Sequence, residues 1–88
     1  MNDPITTGGM RLDAWLWAAR FFKPRSLAKH AVELGRVQVE GQHAKPSRLV
    51  RPGLRLKVER GNEVFDVEVK ALADHRGPAT FARTLYEE

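Results

Sequence analysis

Within the ten residues "FFKPRSLAKH", Phe21 to His30, three cations (Lys23, Arg25 and Lys29) gather around the hydroxyl of Ser26. The chemistry open to such a cluster is capture of an oxyanion. Ser26 is expected to N-cap a helix, its hydroxyl accepting one of the first free backbone amides. A helix start carries partial positive charge and favours acids nearby, yet no acid occurs between Arg20 and Val32. Solvent screening can absorb the cost, about 0.3–1 kcal/mol for each misplaced charge. The alternative is that the missing negative charge belongs to a partner. A phosphate at this helix start would receive backbone amides, the Ser26 hydroxyl and the charged groups of Lys23, Arg25 and Lys29.

The charge distribution favours the partner. The 88 residues carry a formal net charge of +4, but it is uneven. Nine Lys/Arg face three Asp/Glu from Arg11 to Arg51, and six face seven from Pro52 to Glu88. Positive charge confined to one half of a small chain is the footprint of a polyanion-binding surface. Arg36, Lys45 and Ser47 lie around a short hairpin pattern that follows the basic helix, so both elements can form one groove lip. Trp17 and Phe21, one helical turn apart, read either as core or, for Trp17 beside Arg20, as a stacking surface for a base. Asp13 is expected to orient a neighbouring arginine rather than to transfer protons.

Little else suggests chemistry. His30, His43 and His75 lack metal-ligand spacing, and no phosphate-loop, nucleophile-elbow or dinucleotide fingerprint occurs. The chain is expected not to be an enzyme and to hold no metal or cofactor. With no cysteine, disulfides and thiolate metal sites are excluded. No apolar run approaches the roughly 20 residues that span a bilayer. The start "MNDPITTGGM" lacks a secretory pattern, so a cytoplasmic location is expected.

The elements that must position these residues follow from periodicity. Leu12, Trp15, Leu16, Ala19 and Phe22 form one apolar stripe of a helix that is expected to stop at Lys23-Pro24, because a residue before proline avoids helical angles. A second helix is expected from Ser26 to about Leu34, with Leu27, Ala31 and Leu34 buried and Gly35 as a left-handed stop. The period then changes to two. Val37 and Val39 lead into a turn at Glu40-Gly41, and Arg51-Pro52-Gly53 suits a type II turn. Leu54, Leu56 and Val58 share one face, as do Phe65, Val67 and Val69. The outer face of that second hairpin mixes both signs, which cross-strand pairing can neutralise. A short terminal helix is expected with Pro78 at its first position. Residues 1–9 read as a flexible lead-in and 10–88 as one α+β domain.

The segments "RLDAWLWAARF", "KPRSLAK", "G.V.V.G" (Gly35 to Gly41) and "KPS" (Lys45 to Ser47), in this order and spacing, resemble the S4 RNA-binding domain. With "PATFARTLYEE" they are most similar to the bacterial ribosome-associated heat-shock protein fifteen family. The domain pattern covers about 11–57. The resemblance implies a helix-loop-helix followed by a small curved antiparallel sheet, the αL motif, with RNA on its basic face. By match to the family pattern, Arg11, Lys23, Arg25, Ser26, Lys29, Arg36 and Lys45 are the implied RNA contacts, and Arg20 extends the track. Glu40-Gly41 stands where the domain usually has Asn-Gly, and relatives often continue past the match to "LYEE" with a basic tail.

The resemblance implies structured RNA as partner, namely ribosomal RNA of the large subunit and transfer RNA; weak DNA binding is a further expectation. It further implies a role in rescue or recycling of stalled subunits during heat stress, and a monomer is expected. Two other readings stay open here: an accessory RNA-binding module of an RNA-modifying enzyme such as a pseudouridine synthase, or a DNA-binding helix-turn-helix protein.

Overall fold

Helix α1 (Leu12–Ala18) is held at its start by a distant loop. Its first amides have no partner within the helix, and two of them donate elsewhere: Leu12 to the Arg48 carbonyl at 2.8 Å and Asp13 to that of Pro46 at 3.2 Å. Leu12, Trp15, Leu16 and Ala19 are buried as the stripe predicts. The helix ends at Ala18, five residues before the expected stop at Lys23. Arg20 adopts a left-handed backbone, φ 66°. The amides of Phe21 and Arg20 donate to Leu16 and Trp17, 3.0 and 3.1 Å, which closes a Schellman motif. Ending here turns Phe21 inward, 4.9 Å from the Tyr86 ring and 6.1 Å from that of Trp15. Phe21 is therefore core, while Trp17 is half-buried and packs against the core.

Helix α2 (Arg25–Glu33) begins one residue earlier than expected, and Ser26 is not its cap. Pro24 occupies that position in an extended conformation, and its carbonyl accepts the Leu27 amide at 3.0 Å. The ring-locked φ of Pro24 supplies the extended entry that an N-cap requires, so Ser26 is already helical, exposed and makes no capping bond. Its buried face is Ala28, Ala31 and Val32; Leu27 and Leu34 are about half exposed, contrary to expectation. Alanine lets α2 approach α1 closely, which a leucine in that place would prevent. Gly35, φ 79°, closes a second Schellman motif, with its own amide donating to Val32 and that of Arg36 to Ala31, each 3.0 Å.

The structure is a computed structural model that describes residues 5–6 and 9–88. After the helices come β3 (Val37–Val39), β4 (Gln42–His43), β5 (Leu49–Val50), β6 (Arg55–Arg60) and β7 (Glu63–Val69), then α3 (Ala79–Ala82), a 3-10 turn (Arg83–Leu85) and β8 (Tyr86–Glu87). Before them stand β1 (Ile5–Thr6) and β2 (Gly9–Arg11). Within the lead-in read at 1–9, Ile5 and Thr6 pair antiparallel with Met10 and Gly9; positions 1–4 and 7–8 lie outside the described residues. All pairings are antiparallel, in one sheet ordered β1-β2-β5 and another ordered β4-β3-β6-β7-β8. The architecture is α+β.

The strand alternation holds. Leu56, Val58, Val67 and Val69 are buried beneath Trp15, Leu16 and Val32 in one core. On the outer face Arg55 sits opposite Glu68, with charged atoms 3.8 Å apart, and Lys57 opposite Asp66. The C-terminal helix has only four residues, Pro78 caps it rather than entering it, and the segment returns to the sheet as β8 on β7.

Candidate nucleic-acid interface

The pairing of β2 with β5 places Arg11 opposite Leu49, and the bonds from α1 to Pro46 and Arg48 draw the loop after β4 against the same end of the helix. α2 supplies the opposite wall. The result is an open groove of about 420 Å³ lined by Arg11, Lys29, Glu33, Lys45, Ser47 and their neighbours. Three expected site residues therefore meet from three separate elements. Lys29 and Lys45 are exposed.

Asp13 links a fourth to them. It is buried, and its carboxylate takes both a bidentate pair from Arg11 (Nε to Oδ1 3.1 Å, Nη2 to Oδ2 2.9 Å) and Nη2 of Arg25 at 3.4 Å. Both guanidiniums remain over two-fifths exposed while their partner is covered. Asp13 thus orients two arginines outward, as the orienting role predicts, and of the three cations around Ser26 it answers Arg25. Lys23 and Lys29 form no ion pair among the described residues. The excess of positive charge at the α2 start is thus only partly neutralised.

Burial by itself raises the Asp13 carboxyl, but the hydrogen bonds and charge of Arg11, the charge of Arg25 and the Ala14 amide together outweigh it and hold the group below the ordinary carboxylate range. The Arg11 guanidinium is raised in turn, by its bonds to Asp13 and then by the Asp13 charge. A carboxyl depressed in the folded state binds fewer protons there than in the unfolded chain. Its stabilisation is present above the unfolded value of about 4 and is lost as pH falls through the folded value. Asp13→Asn is expected to cost about 1–2 kcal/mol at pH 7, since an amide offers one acceptor where two are used. Urea midpoints should show that difference shrinking as pH drops below about 4. A difference that stays constant down to pH 3 contradicts this account.

The remaining expected residues go elsewhere. Ser26 is exposed beside Arg25 on the first turn of α2. Arg36 lines a different shallow groove with Phe22, Leu27 and Leu34. Arg20 faces the C-terminal segment, its Nε donating to the Gly77 carbonyl at 2.8 Å. The sequence reading missed Arg48, which lines a hollow of about 290 Å³ with Lys45, Ser47 and His43 next to the groove. Its signal was present, since it stands three residues after Lys45 in the basic half. Glu40 and Gly41 both take left-handed angles, φ 52° and 78°, so the turn forms without asparagine. Glu40 Oε2 accepts the Arg55 amide at 2.8 Å, which engages that carboxylate at the start of β6.

The S4 domain model matches residues 10–56. Heat shock protein 15 of Escherichia coli K12 is 48% identical over 79 residues, covering 90% of this chain and 59% of that protein. The chain thus spans about three fifths of such relatives, the Haemophilus influenzae homolog included at 60%. The Bacillus subtilis protein named RQC P-site tRNA stabilizing factor is 42% identical over 65 residues, 74% of this chain and 76% of that one. Among solved structures, the trimeric Vibrio cholerae Heat Shock Protein 15 superposes with a TM-score of 0.86 at 44% identity, over 89% of this chain and 79% of that one. A domain model that covers more than half of the residues, and relatives at this identity along most of the length, place the chain in the S4 domain family.

Proposed function

We propose that this chain is an RNA-binding protein of the ribosome, holding structured RNA of the large subunit and peptidyl-tRNA by their phosphates during rescue or recycling of stalled subunits under heat stress. One observation carries the reading: Arg11, Lys29 and Lys45 converge on one groove from three elements, with Arg25 set beside Arg11 by a shared buried carboxylate. Ser26 lies three residues before Lys29 on α2, and Lys23 precedes that helix. Such contacts position RNA by backbone and shape and carry little base specificity. The names of the relatives, heat-shock proteins and a factor that stabilises tRNA, support this partner class and binding without turnover.

The test is co-sedimentation with separated ribosomal subunits over a salt series. The chain is expected to follow the large subunit. If about four phosphates are neutralised, log affinity falls against log salt with a slope of roughly −3 to −4. Structured RNA should displace it at lower concentration than duplex DNA of equal charge. Preference for the duplex would move the reading to a DNA-binding protein.

A further inference from the structure

A second basic hollow lies apart from the groove and shares no residue with it. It is small, about 190 Å³, and three arginines from distant parts of the chain line it: Arg20 after α1, Arg60 at the end of β6 and Arg83 in the 3-10 turn. Its other walls are Phe21, Phe65 and Tyr86 with three alanines, and no acidic residue is among them. An apolar, aromatic floor keeps water from one side of the charges and strengthens their field.

Arg60 is held in place by three contacts. Its Nη1 donates to the Phe21 carbonyl at 3.1 Å, its guanidinium lies 5.0 Å from the centre of the Phe65 ring, and Nη2 is 3.6 Å from Glu63. Arg20 is held by Nε on the Gly77 carbonyl at 2.8 Å. Neither Arg20 nor Arg83 has an ion pair among the described residues. Within the fold Arg20 also has an internal control. α1 and α2 end in the same Schellman motif, and the left-handed position is glycine in α2 (Gly35, φ 79°) but arginine in α1 (Arg20, φ 66°). Glycine is the favoured residue there, and a side chain at positive φ is strained. Strain of this kind is characteristic of residues whose side chain has a use.

We propose that this hollow is a second phosphate site, which takes a backbone phosphate from an RNA segment other than the one in the groove. The proposal rests on the reading of the chain as RNA-binding. Guanidinium forks match phosphate oxygens in pairs. At about 190 Å³ the hollow is smaller than a typical small-molecule pocket of roughly 300–1,000 Å³ and suits a phosphate with part of its sugar. Two separate phosphate sites on one rigid domain read the spacing of two backbone segments. That amounts to recognition of RNA shape, and the second contact is made at high effective concentration.

The experiment titrates large-subunit ribosomal RNA with the wild-type chain, Arg20→Gly/Arg83→Ala, and Lys29→Ala/Lys45→Ala over a salt series. The hollow variant is expected to bind about tenfold more weakly, with a slope shallower by roughly 0.7–0.9 for the one phosphate lost. Because glycine suits the position, the same variant should melt no lower than wild type. Arg83→Ala alone, which leaves the helix end untouched, should show part of the loss. Wild-type affinity and slope in both hollow variants, alongside weakened binding in the groove variant, overturn the second site and leave the RNA reading intact. Unchanged binding in every variant overturns both.

Discussion

Trp15→Ala should lower the melting temperature by about 16–48 °C. The side chain is fully buried, its rings lie 6.1 and 6.4 Å from those of Phe21 and Tyr86, and its indole N–H donates to the Ala71 carbonyl at 2.9 Å. These contacts join α1 to the segment after β7 and to the strand that closes the sheet. Removing a buried tryptophan leaves a cavity and costs about 3–5 kcal/mol. The orphaned carbonyl adds about 1 kcal/mol. For a domain of this size each kcal/mol moves the midpoint by about 4–8 °C, and total stability is on the order of 5–10 kcal/mol. Trp17→Ala is the control. Trp17 is only half-buried against the core, and its backbone carbonyl, which accepts Arg76 Nε at 3.0 Å, survives truncation. Thermal melts of the two variants should differ by at least a factor of two in the shift. Equal shifts would mean that the indole of Trp15 does not hold the two layers together.

What could be read from the chain was what local pattern determines. Val67 and Val69 alternate with charges, so their burial follows from strand periodicity alone. Gly35 marks its helix end because few other residues take that backbone. Arg20 ends α1 by the same geometry, and nothing local announces it, since arginine carries no left-handed preference. The face of α2 was misjudged because a nine-residue helix with leucines at 27 and 34 offers two apolar sides. Close approach to α1 selects the one with Ala28 and Val32, a requirement imposed by the neighbouring helix and absent from the segment itself. β1 and β8 have two residues each, too few to show a period, and are defined by their pairing with β2 and β7. The groove was legible in composition and in the resemblance to a known domain, but not from spacing. Arg11 and Lys45 are far apart in sequence, and the pairing of β2 with β5 and the bonds from α1 to Pro46 and Arg48 bring them together.

Arg25→Ala/Lys29→Ala should weaken binding to large-subunit RNA by about 30- to 150-fold near 0.1 M salt. Each of these exposed, salt-screened phosphate contacts contributes about 1–1.5 kcal/mol net, below the range of a buried charged hydrogen bond, and 1.4 kcal/mol is a factor of ten. Loss of two contacts should also make the salt slope shallower by about 1.5–2. The fold has little reason to change. Asp13 keeps the bidentate pair from Arg11 when Arg25 is removed, so no buried charge is left alone. The Arg25 contact is longer, 3.4 Å, and its guanidinium is 46% exposed; such pairs contribute at most about 1 kcal/mol. Circular dichroism and a melt within a few degrees of wild type are therefore expected. Ser26→Ala separates two accounts of the same stretch. If Ser26 capped α2, the change would destabilise the helix by about 1 kcal/mol. With Pro24 in the cap position the melt should not move, and any loss of RNA affinity then reports a hydroxyl used by the ligand. Wild-type affinity in the double variant would mean that the cations at "KPRS" only face solvent, with Asp13 as their sole counter-charge. A loss confined to RNA, with the fold intact, assigns the charge that the sequence leaves unanswered between Arg20 and Val32 to the phosphates of the partner.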